Sequence, residues 1–159
     1  MPRKSIEKSC GSKLEIVTET ASEKTISLIR DTSGELGEEG FYIKTAAGKV
    51  TITGGTVRGV LYGVYEFLES CIGWRFLTND VEYLKAEGTV EIADGIDDRQ
   101  VPVFELRQSC AQTTYSHEIM AKTKQNMSTG EPKYGGAYPY KYFCHSIRAL
   151  MGQEHGTNP

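Results

Sequence analysis

The stretch that most constrains this chain is Thr51 to Phe76, TITGGTVRGVLYGVYEFLESCIGWRF, which reads strand, turn, helix, turn, strand. The strand ends on Ile52, Gly54-Gly55 makes the turn, and Thr56 is placed to cap the first free N–H groups of the helix. Apolar residues then fall at Val57, Val60, Leu61, Val64, Phe67, Leu68 and Cys71, the spacing of one helical stripe laid on a core. Gly73 follows where a left-handed cap residue is wanted. Gly59 and Gly63 lie inside the helix, where each costs roughly 1 kcal/mol against Ala. That cost predicts a close approach of helix to sheet at both positions. The opposite face carries Arg58, Tyr62, Tyr65 and Glu69. Two tyrosines on a nominally solvated face predict a cover, although tyrosines at the rim of a core would look the same.

Upstream, Lys13 to Glu19 and Lys24 to Arg30 read as strands. The Gly-rich acidic run Asp31 to Gly40 reads as a loop, and Phe41 to Thr45 pairs with Lys49 to Thr53 through an Ala-Ala-Gly turn. Downstream, Trp74 to Leu77, Asp80 to Leu84, Thr89 to Ile92 and Val103 to Arg107 read as short strands, with Asp94 to Arg99 a polar connection. These elements predict an α+β fold: a mainly antiparallel sheet with one principal helix packed on one face. Its core would combine the helix stripe with Ile16, Ile26, Leu28, Tyr42, Val50, Ile52 and Ile92. Residues 1–12 read as a disordered start and 13–101 as the domain. From 102 to 159 the pattern changes: His117 to Gln125 and Phe143 to Met151 could be short helices, but Asn126 to Tyr142 is rich in Gly, Pro and Tyr without periodicity.

Composition narrows the function. The 159 residues hold enough for one domain with a core, and 38% hydrophobic with 25% charged residues is a globular balance. A net charge of −3 gives no basic footprint for nucleic acid. No apolar run approaches the roughly 20 residues of a membrane span, and Met1-Pro2-Arg3-Lys4 leads into no secretory signal. Cys10, Cys71, Cys110 and Cys144 are too far apart for a zinc or redox motif. A bridge such as Cys110 to Cys144 is one candidate, with no pairing fixed; Cys71 reads as a small core residue.

The string YIKTAAGKVTITGGTVRGVLYGVYEFLESCIGWRFLTNDVEYL is similar to the N-terminal accessory domain of several glycoside hydrolases. It resembles the α-glucuronidase N-terminal domain and the second domain of family 20 hexosaminidases. The residues that carry the likeness are Ile52-Thr53-Gly54, Thr56, Gly59, Tyr62 and Gly63. The run from Tyr62 to Glu69 followed by Gly73, Arg75 and Phe76, and then Pro102, Phe104 and Arg107, resembles large bacterial polysaccharide-utilisation proteins with this domain ahead of an uncharacterised barrel. The resemblance covers about residues 38–107. It implies that 102–159 is the truncated start of a (β/α)8 barrel, with Val103 to Arg107 its first strand or the connection into it. It also implies a periplasmic or extracellular parent acting on polysaccharide or oligosaccharide, whose catalytic carboxylates lie in that barrel.

The residues give no catalytic pair by themselves. Glycosidases need two carboxyl groups facing one sugar, about 5 to 10 Å apart. The clusters Glu35, Glu38, Glu39 and Asp94, Asp97, Asp98 fall in expected surface loops and read as solvated. Asp97-Asp98 lacks the ligand spacing of a calcium loop. Arg107 is the better candidate for sugar contact, since a guanidinium suits bidentate bonds to hydroxyls or a uronate; a structural ion pair is the competing reading. His145, close to Tyr140 and Tyr142, would form a sugar-binding lip in the intact protein, and is otherwise an ordinary loop or core histidine. His117 and His155 lack partners at metal-ligand spacing, so neither metal nor cofactor is expected. Cys144-His145, adjacent in sequence, do not make a nucleophile and base. Tyr62, Tyr65 and Trp74 would form a face that docks on the barrel. The expectation is therefore a non-catalytic N-terminal domain of a carbohydrate-active hydrolase. The rival is a free-standing carbohydrate-binding or protein-interaction module that loses sugar binding when Tyr62, Tyr65 or Trp74 is replaced.

Overall fold

The structure is a computed structural model that describes residues 2–19, 22–85, 88–109, 111–127 and 129–139. In chain order the strands are β1 (Thr25–Arg30), β2 (Phe41–Ala46), β3 (Lys49–Gly54), β4 (Trp74–Phe76), β5 (Glu82–Leu84) and β6 (Asp97–Gln100). The helices are α1 (Pro2–Cys10), α2 (Val57–Phe67) and α3 (His117–Lys122). Ala47 and Gly48, both at positive φ, close β2 onto β3 as a two-residue hairpin with Ile43 opposite Ile52. β6 pairs antiparallel with the other side of β2, and β1 lies parallel to β3, giving the order β1-β3-β2-β6. The expected α+β class and mainly antiparallel sheet are both present.

Side chains alternate across the hairpin, so Phe41, Ile43, Val50 and Ile52 share one buried face. α2 packs on that face through its glycines. A Cβ at Gly63 would lie 2.7 Å from Ile52 Cγ2, and one at Gly59 would lie 2.4 Å from the carbonyl oxygen of Gly40. This is the close approach that the two glycines predicted. Thr56 caps α2 by accepting from the Arg58 N–H at 3.2 Å. The helix continues as a π turn, Leu68–Ile72, which ends at Gly73 with φ of 95°.

Several expectations differ from what is observed. Residues 2–10, read as disordered, form α1. Ser9 turns inward with its hydroxyl donating to the Ser5 and Ile6 carbonyls, and Ile6 packs beside α2's far face. One inward apolar residue leaves no periodic signal in a sequence. Lys13 to Glu19 forms no strand, and Ile16 is 78% exposed. Leu28 lies on the helix side of the sheet but on its edge strand, beyond α2's cover, and is exposed. Tyr42 points away from α2 and donates to Asp97 at 2.6 Å. The polar run Asp97–Gln100 is a strand, whereas Thr89–Ile92 and Val103–Arg107 are not. Main-chain pairing decides this. Thr45 donates its hydroxyl to the Ala93 carbonyl and accepts from the Ile96 N–H, and these bonds draw 93–96 to the edge of β2. β6 then needs no apolar side chains, because an edge strand tolerates charge on both faces. Ile92 does pack against the core, half-buried.

The other face of α2 is covered too. β4 and β5 form a small second sheet with Trp74 opposite Leu84. Tyr65, Leu68, Trp74 and Phe76 meet Ile119 and Ala121 of α3 and Tyr134 in a second apolar cluster. Phe76 stacks on Trp74 at 6.0 Å and meets Tyr65 edge-on at 5.5 Å. α2 is therefore a central helix, apolar nearly all round because it is buried nearly all round.

Candidate functional site

The residue on which this arrangement converges is Glu39. It lies at the end of the acidic loop, two residues before β2, and is 6% exposed. The loop is held against the start of α2 by two bonds. Thr56 Oγ1 donates to the Glu38 carbonyl at 2.6 Å, and the Gly55 N–H donates to the Gly40 carbonyl at 3.0 Å. The Glu39 carboxylate consequently sits beside the first turn of the helix, where Arg58 projects.

Four N–H···O contacts saturate it. Oε1 accepts from Arg58 Nη1 at 2.9 Å and from Asn126 Nδ2 at 3.1 Å. Oε2 accepts from Arg107 Nη2 at 2.5 Å and from Asn126 Nδ2 at 2.8 Å. The partners are themselves fixed. Arg58 donates to the Gly135 and Gly136 carbonyls, with its guanidinium 5.5 Å from the Tyr138 ring centre. Arg107 donates to the Lys124 and Phe104 carbonyls, and its own N–H donates to Asn126 Oδ1 at 3.1 Å. Tyr62 adds a bond from its hydroxyl to the Gln125 carbonyl at 2.6 Å. Lys124, in the left-handed region at φ of 58°, bridges Glu66 at 2.7 Å and Glu69 at 3.0 Å on α2. A single carboxylate thus ties β2's approach loop and α2 to the segment from 104 to 136.

The acceptor sites of this carboxylate are all taken up by Arg58, Arg107 and Asn126. The space beside it, lined by Arg58, Tyr62, His117 and Asn126 among others, is about 20 Å³, room for one water but not a pyranose. A more open cleft of about 310 Å³ lies between Lys8, Asp80, Glu82, Ser116, Glu118 and Lys122. There Lys122 bridges Glu82 and Glu118, the latter at 2.8 Å, and Tyr134 donates to Glu118 at 2.7 Å. The bonds from Lys122 and Tyr134 hold the Glu118 carboxyl below its ordinary value. A general acid for glycoside cleavage needs the opposite shift. Burial pulls Lys122 down, but its bonds to Glu118 and Glu82 outweigh this and hold it raised.

Tyr65 titrates in the other direction. Burial, with the Glu118 charge second, pushes its phenol well above the ordinary 10.0. In the unfolded chain this phenol loses its proton near the ordinary value, while in the folded chain it keeps it. Its contribution to stability is therefore complete below about pH 10 and is lost as pH rises above it. Urea denaturation between pH 8 and pH 11 should show the folding free energy falling above pH 10, and the fall should be smaller in Tyr65→Phe.

Arg107 stands in an internal ion pair, the competing reading of its sequence, rather than at an open rim. Tyr62, Tyr65 and Trp74 are each 1% exposed; Lys8 lies over Trp74, and Ile6, Leu84, Ile119, Ala121 and Tyr134 pack in the same cluster as Tyr65 and Trp74. His145, Cys110 and Cys144 lie outside the described residues, as do Tyr140, Tyr142, His155 and the expected helix over 143–151. Cys10 and Cys71 are free thiols. Among the described residues no three His, Cys, Asp or Glu side chains gather as a metal ion requires, and no helix is long and apolar enough to cross a membrane. Sequence reading missed Glu39 and Asn126. The available signal for Glu39 was Arg58, a cation sharing a helix face with two tyrosines and so placed to need a buried anion.

Residues 2–67 match the glycosyl hydrolase family 67 N-terminus. The match runs from α1 to the end of α2 and includes Glu39 and Arg58 but not Arg107 or Asn126. The resemblance to a glycoside hydrolase N-terminal accessory domain therefore stands on β1 to β3, α2 and the acidic loop. Comparison with curated proteins returns no match.

Proposed function

We propose that the chain is a non-catalytic N-terminal domain of a carbohydrate-active hydrolase that degrades polysaccharide or oligosaccharide outside the cytoplasm. Its task is to pack against and support a catalytic barrel in the same parent protein. The match of residues 2–67 to the family 67 N-terminus carries the reading. The carboxylate chemistry supports it: Glu39 is saturated by three side chains, and Glu118 is held ionised between Lys122 and Tyr134. Neither meets the requirement for a protonated acid beside a free carboxylate across a sugar.

The test is hydrolysis of a panel of aryl glycosides and aryl glucuronides by the purified 159-residue chain. The expected result is no release of the aryl group above the buffer rate at any pH from 4 to 8. Turnover on the order of 1 s⁻¹ or faster, as ordinary enzymes show, would sink the reading.

A further inference from the structure

We propose that the segment from 104 to 136 is a strap that opens from α2 as a unit, latched by Glu39, while the four-stranded sheet and the sheet-facing side of α2 stay folded. The inference holds whether or not the chain is an accessory domain.

Its basis is the unequal way in which the two sides of α2 are held. The cluster between α2 and the sheet is built from Phe41, Ile43, Val50, Ile52, Tyr62, Val64 and Phe67, with Ile26, Cys71, Ile72, Ile92 and Ile96 packed around it. Among the described residues, none after Ile96 takes part. The strap's share of the second cluster is Ile119, Ala121 and Tyr134, and Met120 and Met127 are buried beside it. The apolar residues that lead into it contribute little: Val103 is 90% exposed and Phe104 73%. Besides these apolar contacts and the bonds that Lys122 and residues 112–113 make to Glu82 and Asn79, polar bonds along one face of α2 fasten the strap. Glu39 takes Arg107 and Asn126, Arg58 takes the Gly135 and Gly136 carbonyls, Tyr62 takes Gln125, and Glu66 with Glu69 takes Lys124.

Fastenings of this kind fail together. Glu39 is the anion that both guanidiniums share, so its loss removes the carboxylate that pairs with Arg58 and Arg107 at once. Opening would then hydrate both cations, while the sheet cluster loses nothing. Segments held by few apolar contacts open at lower free energy than the core of the same domain. Opening also uncovers the Tyr65 and Trp74 face, which gives a direct readout. Trp74 is the single tryptophan of the chain and lies in the strap-side cluster, whereas far-ultraviolet circular dichroism is dominated by the sheet and α2.

The experiment follows urea denaturation of the full chain by Trp74 fluorescence with acrylamide quenching, and by circular dichroism. In Glu39→Gln the fluorescence midpoint should fall below the dichroism midpoint, with a red shift and increased quenching while the ellipticity is still native. If Glu39→Gln does not fold, Tyr62→Phe carries the test. It removes the hydroxyl bond to Gln125 and should separate the two midpoints in the same direction. Tyr42→Phe, which removes a bond on the far side of the sheet, should move both midpoints together. Coincident midpoints in the latch variant that folds would overturn the proposal, because the strap and the sheet would then be one cooperative unit.

Discussion

Glu39→Ala lowers the stability of the chain by about 3–5 kcal/mol, the usual cost of removing one partner from a buried ion pair. A surface carboxylate would cost well under 1 kcal/mol, and an acidic loop read from sequence alone predicts that smaller figure. Burial separates the two expectations. Glu39 is 6% exposed and the Arg58 side chain 8%, so the surviving cation cannot be screened by water without opening the strap. Arg107 at 21% is better hydrated and relaxes more easily. The loss is a large share of the roughly 5–15 kcal/mol that holds a domain together. Urea denaturation of Glu39→Ala against wild type measures it. Replacing the ions together (Glu39→Leu, Arg58→Met and Arg107→Met) should return much of the loss, since a well-packed apolar set avoids the desolvation cost that ions carry.

Gly59→Ala is expected to destabilise the chain by about 2 kcal/mol, although helix propensity alone favours Ala over Gly by roughly 1 kcal/mol. The sign turns on what the new methyl group meets. At Gly59 it would fall 2.4 Å from the Gly40 carbonyl oxygen, which is main chain and also accepts from the Gly55 N–H, so it cannot swing aside. The helix would have to lift from the loop that carries Glu39, and that movement adds to the cost. A thermal melt of Gly59→Ala should therefore show a lower midpoint. A higher midpoint would mean that the helix has freedom to move and that the glycine serves no packing purpose.

These two residues mark where the sequence was legible and where it was not. Gly59 and Gly63 break helix propensity inside an apolar stripe, a local conflict that only a close approach resolves; the sheet is found at Gly63, and at Gly59 the loop that leads into β2. The hairpin was equally readable, because an Ala-Gly turn between alternating runs leaves little choice. The cap at Thr56 and the stop at Gly73 were local chemistry as well. Glu39 was not legible, because its burial comes from a segment that begins 65 residues later and has no periodicity of its own. β6 was missed for a related reason: Asp97–Gln100 is a strand by virtue of β2's unpaired edge and of Thr45, not by its own side chains. Arg107 reads in the sequence as a sugar contact, with a structural ion pair as the competing reading; in the structure its guanidinium pairs with Glu39, a partner 68 positions away that sequence could not name.

Glu39 joins Arg58 of α2 to Arg107 and Asn126 of the later segment. A double-mutant cycle on Glu39→Ala and Arg107→Ala, read by urea denaturation, tests this link most directly. A coupling free energy of about 1 kcal/mol or more is predicted, with the double variant more stable than the sum of the single losses implies. Losses that add to within about 0.5 kcal/mol would contradict the account, since two residues bonded through a buried carboxylate cannot behave as independent sites.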